Sequence, residues 1–307
     1  MLTDSLSRSR GCLLGLACGD AVGTTVEFRQ RGTFPLVKDM IGGGPFHLKP
    51  GEWTDDTSMA LCLATSLTEK GRFDARDQME RYVQWWKEGY LSSNGRCFDI
   101  GGTVREALTS FAAAGNPFSG PTDAMSSGNG CIMRLAPVPI FFHMDYENAV
   151  RMSGESSRTT HGSAESIAAC RLFGAMLCKA LAGRGKAEIL IGFSDEEIRF
   201  LDPPPSLEPI ARGAYRKKDA GQVKGTGHVV ASLEAALWCF HKSSSFEEAI
   251  LAAANLGDDA DTTAAVCGQV AGAYYGLEGI PTEWLAKLAQ RERIVELADL
   301  LVRVKEY

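Results

Sequence analysis

Two glycine series constrain what this chain can fold into. Gly11, Gly15 and Gly19 recur at four-residue spacing, and Gly268, Gly272 and Gly276 do the same near the other end. Both series sit in uncharged, apolar surroundings, so each reads as one face of a buried helix. A glycine inside a helix costs about 1 kcal/mol relative to alanine, so six of them cost about 6 kcal/mol unless packing offsets it. Residues without a Cβ let backbones approach closely. The two helices are therefore expected to be central, packed either on each other or each against a different bulky neighbour.

The rest of the pattern is also helical. Helix-period segments are expected at about residues 4–22, 58–64, 74–88, 101–114, 145–157, 161–182, 227–241, 246–254, 259–276 and 283–304. Residues 184–224, with Pro203, Pro204 and Pro205, are the most loop-like part. Alternating strand patterns are almost absent and no composition break marks a boundary. The expected fold is all-α, a single multi-helical domain over residues 1–307.

A net charge of −6 argues against a general nucleic-acid binder. Nine cysteines, none in a Cys-x-x-Cys pair, read as buried reduced thiols and point to a reducing cytoplasm. Arg8 and Arg10 precede an apolar run over residues 11–18, which is short for a secretory signal and is closed by Gly19 and Asp20. No run reaches the roughly 18 apolar residues of a membrane span.

The chemistry is concentrated at two helix starts. Residues 257–263 read Gly-Asp-Asp-Ala-Asp-Thr-Thr and residues 54–57 read Thr-Asp-Asp-Thr, each running into an apolar helix. One acid suffices for capping. Two like charges about 4 Å apart repel by roughly 4 kcal/mol at an effective dielectric of about 20, so clusters this dense call for a counter-charge. No Lys or Arg lies close by in sequence, and a divalent cation shared by the two helix starts would supply it. Oxygen-only donors suit Mg²⁺ or Mn²⁺ rather than zinc, and the number of carboxylates leaves room for two ions.

Phosphate-binding turns are offered by Asp99-Ile100-Gly101-Gly102-Thr103 and by Ser126-Ser127-Gly128-Asn129-Gly130, which expose backbone N–H groups near helix starts. Residues 183–187 fail the P-loop spacing and read as a helix end and turn. Glu27 and His161 are not singled out by local pattern, and Trp53, Trp85 and Trp86 read as core.

In this order and spacing the motifs resemble the ADP-ribosylglycohydrolase family. They are residues 11–23, Glu27-Phe28, residues 54–57, Gly128-Asn129-Gly130 with Met133-Arg134, and residues 257–262. The match is closest to the branch of the dinitrogenase reductase-activating glycohydrolases. The resemblance implies an all-α fold with a binuclear Mg²⁺ or Mn²⁺ centre in a cleft, and hydrolysis of the bond between ADP-ribose and a modified side chain. Carried over by motif position, Thr54, Asp55, Asp56, Asp259, Asp261 and Thr262 are metal ligands, with Asp258 a neighbour. Glu27 or Asp99 is the acid/base; Gly101 and Gly102 sit near the distal ribose and diphosphate; Ser127, Gly128, Asn129, Gly130 and His161 line the ADP-ribose groove.

An arginine-linked ADP-ribosylated protein is the leading substrate, with free ADP-ribose as product, and a monomer is expected. Serine linkages, modified nucleic acid and O-acetyl-ADP-ribose are alternatives within the same chemistry. A binding or structural relative without activity, such as a lens crystallin, and a metal-dependent phosphohydrolase are alternatives outside it.

Overall fold

The computed structural model describes residues 2–303, with side chains from residue 4 onward. In chain order the helices are α1 (Leu2–Gly23), α2 (Asp55–Lys70), α3 (Ala75–Glu88), α4 (Gly102–Ala114) and α5 (Pro137–Phe141). They continue as α6 (Tyr146–Arg158), α7 (Ala164–Leu181), α8 (Lys186–Ile191), α9 (Asp195–Leu201) and α10 (Glu208–Ala211). The last are α11 (Val229–Lys242), α12 (Phe246–Ala254), α13 (Ala260–Tyr275), α14 (Thr282–Lys287) and α15 (Arg291–Arg303). Among the described residues there is no strand, only isolated antiparallel bridges at Gly43–Leu48 and Gly128–His228. The all-α expectation holds.

The glycine stripes pack on each other. α1 and α13 run antiparallel with their backbones in contact, so a Cβ on Gly11, Gly15 or Gly19 would run into the carbonyl of Gly272, Gly268 or Ala264 respectively. Gly23 extends the series against Ala260. Gly276 does not belong to it: at φ +72° it closes α13, in a conformation that a residue with a Cβ adopts at a cost. Both helices keep their own backbone hydrogen bonds, so the close approach gains dispersion contact without orphaning a polar group.

Other helices enclose this pair. α11 and α12 cover α13, α15 lies on α1, and α2 packs on α3 and α15. Trp53, Trp85, Phe173, Phe240 and Phe246 are buried among them, while Trp86 is only partly so. The nine cysteines are free thiols, all buried except the half-buried Cys97. No helix among the described residues is long and apolar enough to cross a membrane.

Three expectations are corrected. The helix expected over residues 283–304 is broken into α14 and α15, because Leu288 turns extended (ψ 123°) and Ala289 N donates to Gly51 O at 2.9 Å; residue 304 lies outside the described residues. The helix expected from residue 161 starts at Ala164, where Ser163 caps it by accepting from Ser166 N at 3.2 Å, leaving His161 in the connector. Residues 184–224 hold α8, α9 and α10; Ser194 starts α9 with a capping box to Glu197, a local signal that the surrounding prolines obscured.

Candidate active site

The seam delivers two helix starts to one place. α13 begins where Ala260 meets Gly23, so the carboxylates of Asp259 and Asp261 stand at the end of the glycine contact. The start of α2 is fastened there by Asp20 of α1, one residue beyond Gly19. Asp20 accepts from Thr54 N and Thr54 Oγ1, both at 2.9 Å, and from Thr57 N at 3.1 Å and Thr57 Oγ1 at 2.6 Å. A carboxylate from another helix thus does the capping, and neither Thr54 nor Asp259, the residues at the two cap positions, uses its own side chain for it. Asp55 and Asp56 are released from capping.

The acids then crowd together. One oxygen each from Asp20, Asp56 and Asp261 lie within 4.8 Å of one another, as do oxygens of Glu27, Asp99 and Asp261. Thr54 Oγ1 bridges toward Asp56 Oδ2 at 3.2 Å and Asp261 Oδ2 at 3.4 Å. Burial, and then mutual repulsion, pushes Asp55, Asp56 and Asp261 well above the usual carboxylate range. Glu27 is raised to about 10 and Asp99 to about 7 for the same reasons, and Asp20 to about 6 by burial against its hydroxyl and amide donors.

Buried oxygens Glu27 Oε2, Asp56 Oδ1 and Asp261 Oδ1 have no hydrogen-bond partner within the protein. Such atoms are costly unless something satisfies them. Hard, oxygen-only donors at two apposed helix starts fit a divalent cation.

A second layer holds the acids in place. Asn129 Nδ2 donates to Asp259 Oδ2 at 2.6 Å and to Ser232 Oγ at 3.2 Å, while Asn129 N donates to Gly227 O at 3.0 Å. Asn129 lines the cleft, but its amide is engaged with Asp259. Beside it, Gly128 and Gly130 make room for His161: a Cβ at Gly130 would come 2.9 Å from the imidazole Cε1. Burial and then the nearby Arg134 guanidinium lower His161 to about 3, so the ring is neutral, with Nδ1 2.9 Å from Thr160 Oγ1. Arg134 is itself buried; it donates to Gly130 O at 2.8 Å and Thr160 Oγ1 at 2.7 Å and lies over the Tyr82 ring at 4.9 Å.

These groups open into a cavity of about 1180 Å³. Of the residues singled out in the sequence, Glu27, Asp55, Asp99, Gly101, Gly102, Gly128, Asn129, Gly130, His161, Asp259, Asp261 and Thr262 line it. Thr54 and Asp56 are fully buried beneath. Ser127 is not part of the cavity lining: its hydroxyl is buried and donates to Ser163 Oγ at 2.9 Å. Asp258 also lines the cavity but is exposed at φ +54°, with its N–H donating to Arg29 O at 2.8 Å.

Sequence reasoning missed Asp20, read there only as the end of an apolar run, and the structural part played by Arg134. A carboxylate in an otherwise uncharged glycine stripe was the available signal for the first. A lone arginine between apolar residues, Met133 and Leu135, was the signal for the second.

Known proteins resemble this chain over most of its length. A sequence model of the family described as ADP-ribosylglycohydrolase matches residues 1–307. The ADP-ribosylarginine hydrolase Tri1 of Serratia proteamaculans (strain 568) is 44% identical over 299 residues, covering 97% of this chain and 80% of that protein. The ADP-ribosyl-[dinitrogen reductase] glycohydrolase of Rhodospirillum rubrum is 32% identical, covering 92% and 90% respectively. A solved structure titled "ADP-ribosylglycohydrolase-related protein complex" superposes with a TM-score of 0.87 at 41% identity, covering 98% of this chain and 99% of that one. With its two acidic helix starts in one cleft, the chain belongs to the ADP-ribosylglycohydrolase family and is a glycohydrolase.

Proposed function

We propose that this enzyme hydrolyses the N-glycosidic bond joining ADP-ribose to a modified arginine side chain, acting as one domain over residues 1–307 in a reducing cytoplasm. The observation that carries the reading is the convergence of Asp20, Asp56 and Asp261, and of Glu27, Asp99 and Asp261, beneath a cleft large enough for a dinucleotide-sized ligand. The arginine linkage is supported by the likeness to the Serratia hydrolase. Free thiols at all nine cysteines are consistent with the reducing compartment.

The clustered acids support a divalent cation such as Mg²⁺ or Mn²⁺, and Asp56 and Asp261 lie within the cluster. Thr54, Asp55, Asp56, Asp259, Asp261 and Thr262 would together hold two ions. When bound, such ions supply positive charge that holds ribose hydroxyls and acidifies water. The protein's own groups do the rest. Gly101 and Gly102, exposed at the start of α4, offer backbone N–H groups for the diphosphate, and Gly128 and Gly130 with neutral His161 shape the wall beside it. Hydrolysis breaks the bond between the anomeric carbon and the guanidine nitrogen. The water oxygen goes to carbon, and a proton must reach the departing guanidine. Glu27 and Asp99 stand at the cleft with oxygens within 4.8 Å of each other and of Asp261, which places either of them to carry that proton.

The test is release of free ADP-ribose from arginine-linked and serine-linked proteins, with Mg²⁺, with Mn²⁺ and with chelator. Arginine-linked release that chelator and Asp259→Asn both abolish is the expected result. Release from the serine linkage alone moves the assignment to that substrate, and release indifferent to chelator removes the metal.

A further inference from the structure

Phe28, the residue after Glu27, stands 68% exposed on the cavity wall although its backbone sits at φ +60°. A bulky residue in the left-handed region is an outlier that persists only where its surroundings over-determine it. Here they do: Phe28 N donates to Asp258 O at 2.7 Å, and the reciprocal bond from Asp258 N to Arg29 O locks the turn. The Phe46 ring meets Phe28 edge-on at 6.5 Å and lies 5.2 Å from Phe98. Each of these aromatics is at, or just before, a non-glycine residue of positive φ: Phe28 itself, His47 and Asp99. Three loops are bent to bring three rings together, and Phe28 is the one that reaches the cavity wall.

We infer that this aromatic cluster, with Phe28 as its working face, receives the departing guanidine of ADP-ribosylated arginine and thereby favours arginine linkages over serine ones. The inference rests on the arginine reading above. Position argues for it first. Phe28 and Phe98 are the chain neighbours of Glu27 and Asp99, whose carboxylates converge, so the leaving group departs beside these rings. Chemistry argues second: a guanidinium is planar, delocalised and weakly hydrated and stacks on aromatic faces, whereas a serine hydroxyl gains nothing there. Access argues third. The adjacent Arg29 leaves the Phe28 ring uncovered, since it lies over the Phe34 ring at 5.9 Å and donates to Thr33 O.

An adenine platform is the competing use of an exposed ring, and binding of ADP-ribose separates the two. The experiment uses the Mg²⁺-loaded enzyme and its Phe28→Ala, Phe28→Leu and Phe28→Tyr variants. It measures kcat/KM on arginine-linked and serine-linked ADP-ribosyl peptides, and the Kd of ADP-ribose by calorimetry. Loss of the ring lowers arginine kcat/KM about tenfold in both the Ala and Leu variants, while Tyr stays within about threefold of the parent. Turnover of the serine peptide and the Kd of ADP-ribose shift by less than about twofold. A weakened ADP-ribose Kd in step with activity overturns the inference in favour of adenine stacking. Full activity in the Leu variant, or in all three, overturns it as well. A parent enzyme without arginine turnover removes the arginine reading and this inference together; a parent with normal turnover and an indifferent Phe28→Ala removes the inference alone.

Discussion

Along most of their length α1 and α13 touch backbone to backbone with no charge between them; where they end, the same two helices present Asp20, Asp259 and Asp261 to one another's neighbourhood. The seam is all shape: its glycines carry no side chain that could react, and its fit leaves no room for one. The mouth is all charge, with buried carboxylate oxygens that nothing in the protein satisfies. Placing the second at the end of the first is instructive. Repelling acids would spread apart on a compliant scaffold, and a backbone contact without intervening side chains is about as unyielding a base as two helices can make.

The comparison breaks most visibly at Gly268→Ala. Its new methyl would collide with the Gly15 carbonyl, which is backbone and cannot swing aside. A loss of about 4 kcal/mol in urea unfolding, or an insoluble product, is expected. Near-normal stability would show that the seam can part, and would remove rigidity as the reason for the mouth's geometry.

Asp261→Asn should cut opposite ways at the two regions. Activity falls about a hundredfold or more. The chelated protein gains about 1 kcal/mol, because a carboxyl group that is costly to bury, and is further repelled by its neighbours, is gone. Loss of both activity and stability would mean that Asp261 is a structural partner rather than a tolerated liability.

pH sharpens the same contrast. Glu27 and Asp99 titrate at about 10 and about 7 in the folded protein without metal, above their unfolded values, so the stability tied to their bound protons is present in acid. That stability is lost as pH rises through about 7 and then about 10. His161, lowered to about 3, has the other sign: its contribution is intact above the unfolded value of about 6.5 and is lost as pH falls toward 3. The chelated protein should therefore lose a few degrees of Tm, on the order of 3 °C, between pH 7 and pH 9, and Mg²⁺ should raise Tm more at pH 9 than at pH 6. An equal Mg²⁺ effect at both would disconnect the cation from these carboxylates.

The smallest effect belongs to Asp258→Asn. Asp258 is exposed and needs only a residue that tolerates φ +54°, which asparagine does, so activity stays within about twofold and stability within about 0.5 kcal/mol. A collapse of activity comparable to that of Asp259→Asn would move the ligand set by one residue.

How much of this was legible in the sequence follows the range of each interaction. The glycine stripes and acidic helix starts repeat or cluster within a few residues, so periodicity and composition expose them. That the stripes meet each other could not be read, because pairing between distant helices leaves no local mark. Asp20 was invisible for the same reason: its partners Thr54 and Thr57 lie more than thirty residues away, and only the fold shows that it caps another helix. Ser127 shows the converse limit of reading by motif position. It sits inside a turn that shapes the cleft, yet the turn aims its hydroxyl at Ser163. Sequence position assigns a residue to a loop; the direction its side chain takes is decided by packing.

The register of α1 on α13 also bears on how such a chain can change over time. Each glycine faces a set position on the opposite helix, from Gly11 against Gly272 to Gly23 against Ala260. Inserting one residue in either helix would rotate everything beyond it by about 100°, turning the remaining glycines and the terminal acids off the shared face together. Length variation is consequently barred from these two segments and channelled into the connectors, where residues can be added without disturbing the pairing. Relatives of this protein should differ in the length of the stretches between helices while keeping the distance from stripe to acid constant, and that spacing is a more durable signature than any single residue within it.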